Sequence, residues 1–261
     1  MLGRVLTAVL DVLLPRPCVG CGAAGAPLCD ACLAPLVAPA SRTPVPRPAG
    51  LPACWSAAWY EGPLRRAVIA YKERAQTGLA TPLAALLALT VASALAAGRP
   101  PASPFVGPFA IVPVPSARRA LRSRGHDPMG RLAERAVHAL RRLGHPAVLW
   151  RALTPARRVA DQAGLGAAER AANLAGSLRV AMRAPGPRAT APKPAPAALH
   201  DHGMDKFRTP GVPVVLVDDL VTTGATLAEA ARTLGEWGAD VVCAATVAAT
   251  RRRSRNAQGS P

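Results

Sequence analysis

Two groups of residues in this chain have the types and spacing to do chemistry, and they lie near its opposite ends. The first is Cys18-x2-Cys21 and Cys29-x2-Cys32, with seven residues between the pairs, a spacing that suits a tetrahedral four-thiolate zinc site. Four thiolates leave no open coordination position, so such a zinc is structural. Gly20 and Gly22 permit the tight turn that aims sulfurs and N–H groups at a metal. Two disulfides, or four reduced thiols, are the plain alternatives. Disulfides do not suit a chain without a secretion signal, and a segment this short has no core of its own. The other two cysteines, Cys54 and Cys243, fall in apolar strand patterns and read as core residues.

The second group is Asp218-Asp219-Leu220-Val221-Thr222-Thr223-Gly224-Ala225-Thr226, which follows the apolar run Val214–Val217. A continuous apolar run predicts a central parallel strand covered on both faces. Acids at the carboxyl end of such a strand sit where open α/β sheets place ligands, and Asp218 and Asp219 can accept hydrogen bonds from vicinal sugar hydroxyls. The threonines then offer hydroxyls at the start of a helix with Leu227, Ala230, Leu234 and Trp237 on one face. A helix N-terminus favours a phosphate. Thr226 and Glu229 have capping-box spacing, and Gly224 is expected to clear space where a phosphate approaches the backbone. No Lys-Ser/Thr pair closes the loop as in a nucleoside-triphosphate site, and no Gly-x-Gly-x-x-Gly indicates a dinucleotide. An ordinary strand, turn and capped helix would explain neither the second Asp nor the three threonines.

The elements that must position these groups are legible in outline. A chain of 261 residues, 50% hydrophobic, can bury a core, but with 3% aromatics that core must be built from Ala, Val and Leu. Strands are expected at Cys54–Tyr60, Ala110–Val114, Ala147–Trp150, Val214–Val217 and Val241–Val247, with helical pattern between them. The economical fold is α/β with a parallel sheet. Residues 37–52, rich in Pro, read as a stiff linker between an amino-terminal unit (1–36: an amphipathic segment and the cysteine module) and a main domain at 53–250. Residues 183–211 read as a flexible insertion, in which His200, Asp201, His202 and Asp205 make a solvated cluster rather than a metal site. Residues 251–261 read as a basic disordered tail, with phosphate-backbone contact as the sharper alternative for Arg251–Arg255.

Two stretches imitate membrane segments. Met1–Leu14 is interrupted by Asp11 and reads as an amphipathic helix; Gly78–Gly98 is uncharged and long enough to span, but Leu79, Leu83, Leu86, Leu87 and Val91 fall at helical spacing for a buried helix. The expectation is no membrane span and a cytoplasmic protein. The net charge of +17 attracts nucleic acid, acidic surfaces or polyphosphorylated small molecules without choosing among them. There is no stripe of interleaved aromatics for base stacking.

The Asp218–Thr226 string resembles the phosphoribosyl pyrophosphate signature of type I phosphoribosyltransferases. Further segments resemble one branch, the ComF/GntX-like phosphoribosyltransferases associated with competence and DNA uptake: Cys18-Val19-Gly20-Cys21-Gly22, Tyr60–Arg65 with Ala70–Arg74, Val112–Ser116, Arg122–Asp127, Asp161–Leu165 and Glu169–Leu174. The resemblance implies a type I phosphoribosyltransferase fold with an amino-terminal zinc module. It implies phosphoribosyl pyrophosphate as ligand, with Mg²⁺, and a pyrophosphate loop over Val112–Arg119 bearing Ser116, Arg118 and Arg119. A solvated basic turn is the bland reading of that loop. Residues 155–173 correspond to a hood that closes over the ligand, with Arg158, Gln162, Arg170 and Asn173 as candidates, and Lys72 resembles a position near the acceptor side.

Two functions follow. One is a pentosyl-transferring glycosyltransferase in which Asp218 and Asp219 fix the sugar, Thr222–Thr226 anchors the 5-phosphate, and basic residues with Mg²⁺ hold the departing diphosphate. No side chain nominates itself as a general base, so the acceptor is open. The other is a non-catalytic sensor of a phosphorylated ribose, or an uptake accessory that binds single-stranded DNA or a DNA-uptake helicase.

Overall fold

The computed structural model describes residues 17–97, 107–116, 127–157, 167–181 and 212–251. The expected helix at Met1–Leu14, the insertion at 183–211, the tail beyond Arg251, and Arg118, Arg119, Arg158 and Gln162 lie outside the described residues. Nothing is described of the Arg170 side chain.

The main sheet has six strands in the order β1-β2-β8-β7-β3-β4. These are β1 (Ala40–Ser41), β2 (Cys54–Trp59), β3 (Phe109–Pro113), β4 (Ala147–Leu149), β7 (Val214–Val221) and β8 (Val241–Ala249). All neighbours are parallel except the short edge strand β1, which runs antiparallel to β2. The five expected strands are therefore present as one mostly parallel α/β sheet. Central β7 and β3 are buried because helices cover both faces, which is why their sequences are apolar runs rather than alternations. Between β2 and β8, in register, the buried Ser56 and Thr246 hydroxyls bond each other at 2.7 Å, so neither is left unsatisfied.

One face carries α2 (Gly62–Glu73), α3 (Ala80–Ala97) and α4 (Pro128–Arg142). Leu83, Leu86, Leu87 and Val91 of α3 are buried in the core of this face, and α3 packs on β8, β2 and α4. The stretch Thr77–Ala97 is long and apolar enough to cross a membrane, but these leucines face the protein's own core. Helix α4 begins as its sequence dictates: Pro128 takes the first position and the Asp127 carboxylate accepts from the Gly130 N–H at 3.0 Å.

The other face carries α6 (Ala225–Glu236) and a unit that the sequence does not announce. Strands β5 (Leu153–Pro155) and β6 (Leu178–Val180) form a separate antiparallel pair, with α5 (Ala167–Leu174) between them in the chain. Three-residue strands are too short to show a period of two, so no alternation betrays them.

The cysteine segment is docked rather than tethered. A short α1 (Asp30–Leu33) follows the second Cys pair, and Cys18, Leu28 and Leu36 are buried in the same core as α2 and α3. Arg66 of α2 donates to the carbonyl oxygens of Val19 at 2.9 Å and Gly20 at 2.7 Å. The Pro-rich stretch 37–52 lies along the sheet edge instead of bridging open space: it supplies β1, Leu51 is buried, and the Thr43 hydroxyl accepts from the Cys54 N–H at 3.0 Å.

Candidate functional site

Strand β7 does not stop at the two acids; it runs through both to Val221 because β8 accompanies it that far, with Asp218 opposite Thr246 and Val221 opposite Ala249. The chain then turns through Thr222 and Thr223 to Gly224, and α6 begins at Ala225. The acids and the loop therefore sit at the carboxyl end of a central parallel strand, where such sheets bind ligands. A cavity of about 280 Å³ opens there, with walls that include Lys72, Ser116, Asp218, Asp219 and Thr226. These five expected residues, from four separate elements and loops, are brought together.

Lys72, on the last turn of α2, pairs with Asp219, Nζ to Oδ2 2.5 Å, and the two side chains are only 31% and 13% exposed. Part of Asp218 faces the cavity, yet protein encloses it. Burial pushes its carboxyl well above the usual carboxylate range, the Asp219 charge adds to this, and Lys72 pulls the other way. The Asp219 N–H donates to Asp218 Oδ1 at 2.9 Å, which also favours the charged form. The pair is thus one carboxylate matched by a cation and one that holds its proton more firmly.

The rest of the cavity wall is apolar, with Met129 and Leu132 of α4, Val114, Pro115 and Leu220. Tyr71 also lines it; its hydroxyl donates to the Pro128 carbonyl at 2.8 Å and so ties α2 to the start of α4. Burial raises the Tyr71 phenol to about 12. Sequence reasoning gave Tyr71, Met129 and Leu132 no role. The adjacency of Tyr71 to Lys72 and of Met129 to the Asp127-Pro128 helix start were the available signals.

The remaining candidates fall elsewhere. Thr222 and Thr223 border a second cavity, about 350 Å³, shared with Arg42, Trp59 and Thr250. The Asn173 carbonyl, with that of Ala175, accepts from Arg157 at 2.8 Å each; Asn173 is not among the residues lining the cavity beside Asp218. Two details of the loop differ from expectation. Thr226 and Glu229 form no capping box: Gly224 is the N-cap, Thr226 is already helical, and Glu229 pairs with Arg232 at 2.8 Å. Gly224 is needed for another reason than ligand approach. Its φ is +79°, and a Cβ there would lie 2.7 Å from Leu51 Cδ2, so the vacant side faces the Pro-rich stretch.

The sulfurs of Cys18, Cys21, Cys29 and Cys32 all lie within 4.8 Å of one another. A tetrahedral zinc with bonds near 2.3 Å spaces its sulfurs by roughly 3.8 Å, so the group fits such an ion. The closest approach that bonds, Cys21 Sγ to Cys29 Sγ at 3.5 Å, is far beyond a disulfide length, and all four are free thiols. Burial acts to raise Cys18, but N–H groups of Cys29, Cys21 and Gly20 outweigh it and bring the thiol to about 6. Burial and the neighbouring sulfurs push Cys32 up to about 12. A Cβ on Gly20 would lie 2.5 Å from Cys32 Sγ, so only glycine lets the two Cys turns close on each other.

Residues 147–259 match the family model of the phosphoribosyl transferase domain, a range that begins at β4 and includes β7, the loop and α6. No curated protein matches the chain. The chain thus combines a mostly parallel α/β sheet, a segment over residues 147–259 that matches the phosphoribosyl transferase domain and, ahead of it, a four-cysteine cluster able to hold a metal ion.

Proposed function

We propose that this protein binds phosphoribosyl pyrophosphate at the carboxyl end of β7 and transfers the phosphoribosyl group to an acceptor. The observation that carries the reading is the cavity at which Asp218, Asp219 and Thr226 converge within the matched domain. In this reading Asp218 and Asp219 accept hydrogen bonds from the ribose hydroxyls. The Thr222–Thr226 loop holds the 5-phosphate by its hydroxyls and by backbone N–H groups at the start of α6. Ser116 faces the diphosphate, and Lys72 holds Asp219 in place until the sugar arrives. Mg²⁺ arriving with the diphosphate would neutralise charge on the leaving group. Positioning and charge stabilisation carry the rate in this reading.

The cysteine cluster holds structural zinc in this proposal, and the protein belongs to the ComF-like, competence-type branch, cytoplasmic, with single-stranded DNA or an uptake helicase as partner. Calorimetric titration with phosphoribosyl pyrophosphate and Mg²⁺ tests the pocket. Wild type should bind, and Asp218→Asn/Asp219→Asn should weaken binding by about a hundredfold or more, in line with losing several charge-assisted hydrogen bonds. Equal affinity in the double variant would refute the site. Pyrophosphate release across a panel of nucleobases and amines then separates an enzyme from a sensor that binds without turnover.

A further inference from the structure

The Pro-rich stretch at 42–51 crosses the outside of the Thr222–Thr226 loop, and the two meet where Gly224 takes the left-handed conformation. Leu51 is 2% exposed, and its two methyl groups lie 2.7 and 3.2 Å from where a Gly224 Cβ would stand, with Pro44 Cγ at 3.4 Å. On either side of this contact the two segments separate. One gap is the cavity of about 350 Å³ between residues 42–46 and Thr222–Thr223. The other, about 620 Å³, lies between residues 46–50 and Ala225, Ala228, Glu229 and Arg232 of α6. The loop therefore meets the stretch at an apolar contact, Leu51 and Pro44 against Gly224, with a cavity on either side.

The stretch itself is fixed firmly enough to act as a buttress. The Arg42 N–H donates to the Cys54 carbonyl at 2.8 Å, Thr43 Oγ1 accepts from the Cys54 N–H at 3.0 Å, and Arg47 Nε donates to the Leu51 carbonyl at 2.9 Å. The Arg42 guanidinium also binds the Ala38 carbonyl at 3.2 Å and the Ser56 carbonyl. The amino-terminal end is thus tied to β2, and Arg47 closes the stretch on itself at Leu51, which projects onto the loop.

We infer that Leu51, backed by Pro44, is a positioning residue that sets the conformation of the Gly224 turn and so the aim of the backbone N–H groups at the start of α6. A loop that holds phosphate by its own backbone works only while those N–H groups converge, and misplacement by about 1 Å suffices to lose much of their effect. The functional half of this inference rests on the proposed role of Thr222–Thr226; the conformational half does not.

Hydrogen exchange on the full-length, ligand-free protein tests the conformational half. Leu51→Ala should speed exchange of the amides at 222–227 by about tenfold or more, with the amides of β3 and α3 unchanged, and Leu51→Met should restore the wild-type rate. If Leu51→Ala does not fold, Pro44→Ala is the milder removal at the same contact and should speed the same amides. Unchanged exchange at 222–227, or acceleration spread evenly over the sheet, would overturn the inference. Titration of the same variants with phosphoribosyl pyrophosphate and Mg²⁺ reads the functional half: Leu51→Ala should bind about tenfold more weakly and Leu51→Met like wild type. Loop exchange that rises as expected while wild type itself fails to bind would leave the buttress standing and remove the ligand assignment instead.

Discussion

The cysteine cluster and the carboxylate pair both crowd acidic groups together, and the chain resolves the crowding in opposite ways. At the cysteines, backbone N–H groups bring Cys18 down to about 6 while its neighbour Cys32 is driven up to about 12. The nearby Arg66 spends its donors on two carbonyls, not on sulfur. Four sulfurs arranged this way could hold a cation from outside. At the carboxylates the cation is built in: Lys72 reaches Asp219 on β7 from helix α2, and Asp218 takes up the remaining strain through its proton affinity. The first group is able to take an ion from outside, whereas the second is balanced within the chain.

The largest effect should come from depriving the cysteine cluster of its cation. Elemental analysis of wild type should find about one zinc per chain, and Cys21→Ser or strong chelation should remove most of it. Because Cys18, Leu28 and Leu36 share the main core, melting temperature should then fall by something on the order of 10 °C. Metal-free protein that melts like wild type would mean that the cluster needs no ion, and the contrast with the carboxylates would collapse.

Removing the built-in cation comes next. Lys72→Met leaves Asp219 unpaired in a mostly covered position and should cost about 1–3 kcal/mol in denaturant unfolding, between the values for exposed and buried pairs. A variant as stable as wild type would show that the pair contributes only orientation.

Asp218 sharpens the comparison through pH. Its folded value is raised, so the stability that it contributes is fully present below the ordinary carboxylate range and is lost as pH rises through the raised value. Asp218→Asn removes that loss. The variant should melt above wild type at pH 7, and the gap should close toward pH 4. A gap that widens on acidification would reverse the assignment of strain to Asp218. The smallest expected effect is at the docking of the cysteine segment: Arg66→Gln should cost about 0.5–1.5 kcal/mol and leave metal content unchanged.

The two regions also differ in how far the sequence discloses them. The four-cysteine spacing and the strand, acids, loop and helix of 214–236 are local, so their chemistry and their order can be read along the chain. The sheet was legible for a related reason: β2, β3, β4, β7 and β8 are apolar runs separated by helical pattern. The antiparallel pair β5 and β6 was not, because three residues carry no period. The Pro-rich stretch read as a linker because composition reports stiffness, whereas burial of Leu51 against Gly224 depends on where the chain returns.

By itself, then, the sequence determined which residues are able to bind phosphate, sugar hydroxyls or a soft metal ion, since those abilities belong to residue types and short spacings. Only the tertiary structure decided which of them meet. It brought Lys72 to Asp219, Tyr71 to Pro128 and Leu51 to Gly224, contacts between segments far apart in the chain that are fixed by the packing of helices and edge strand on one sheet. It also set the two acids apart. Asp218 and Asp219 are the same residue type at adjacent positions, and only their surroundings raise the proton affinity of one and give the other a lysine.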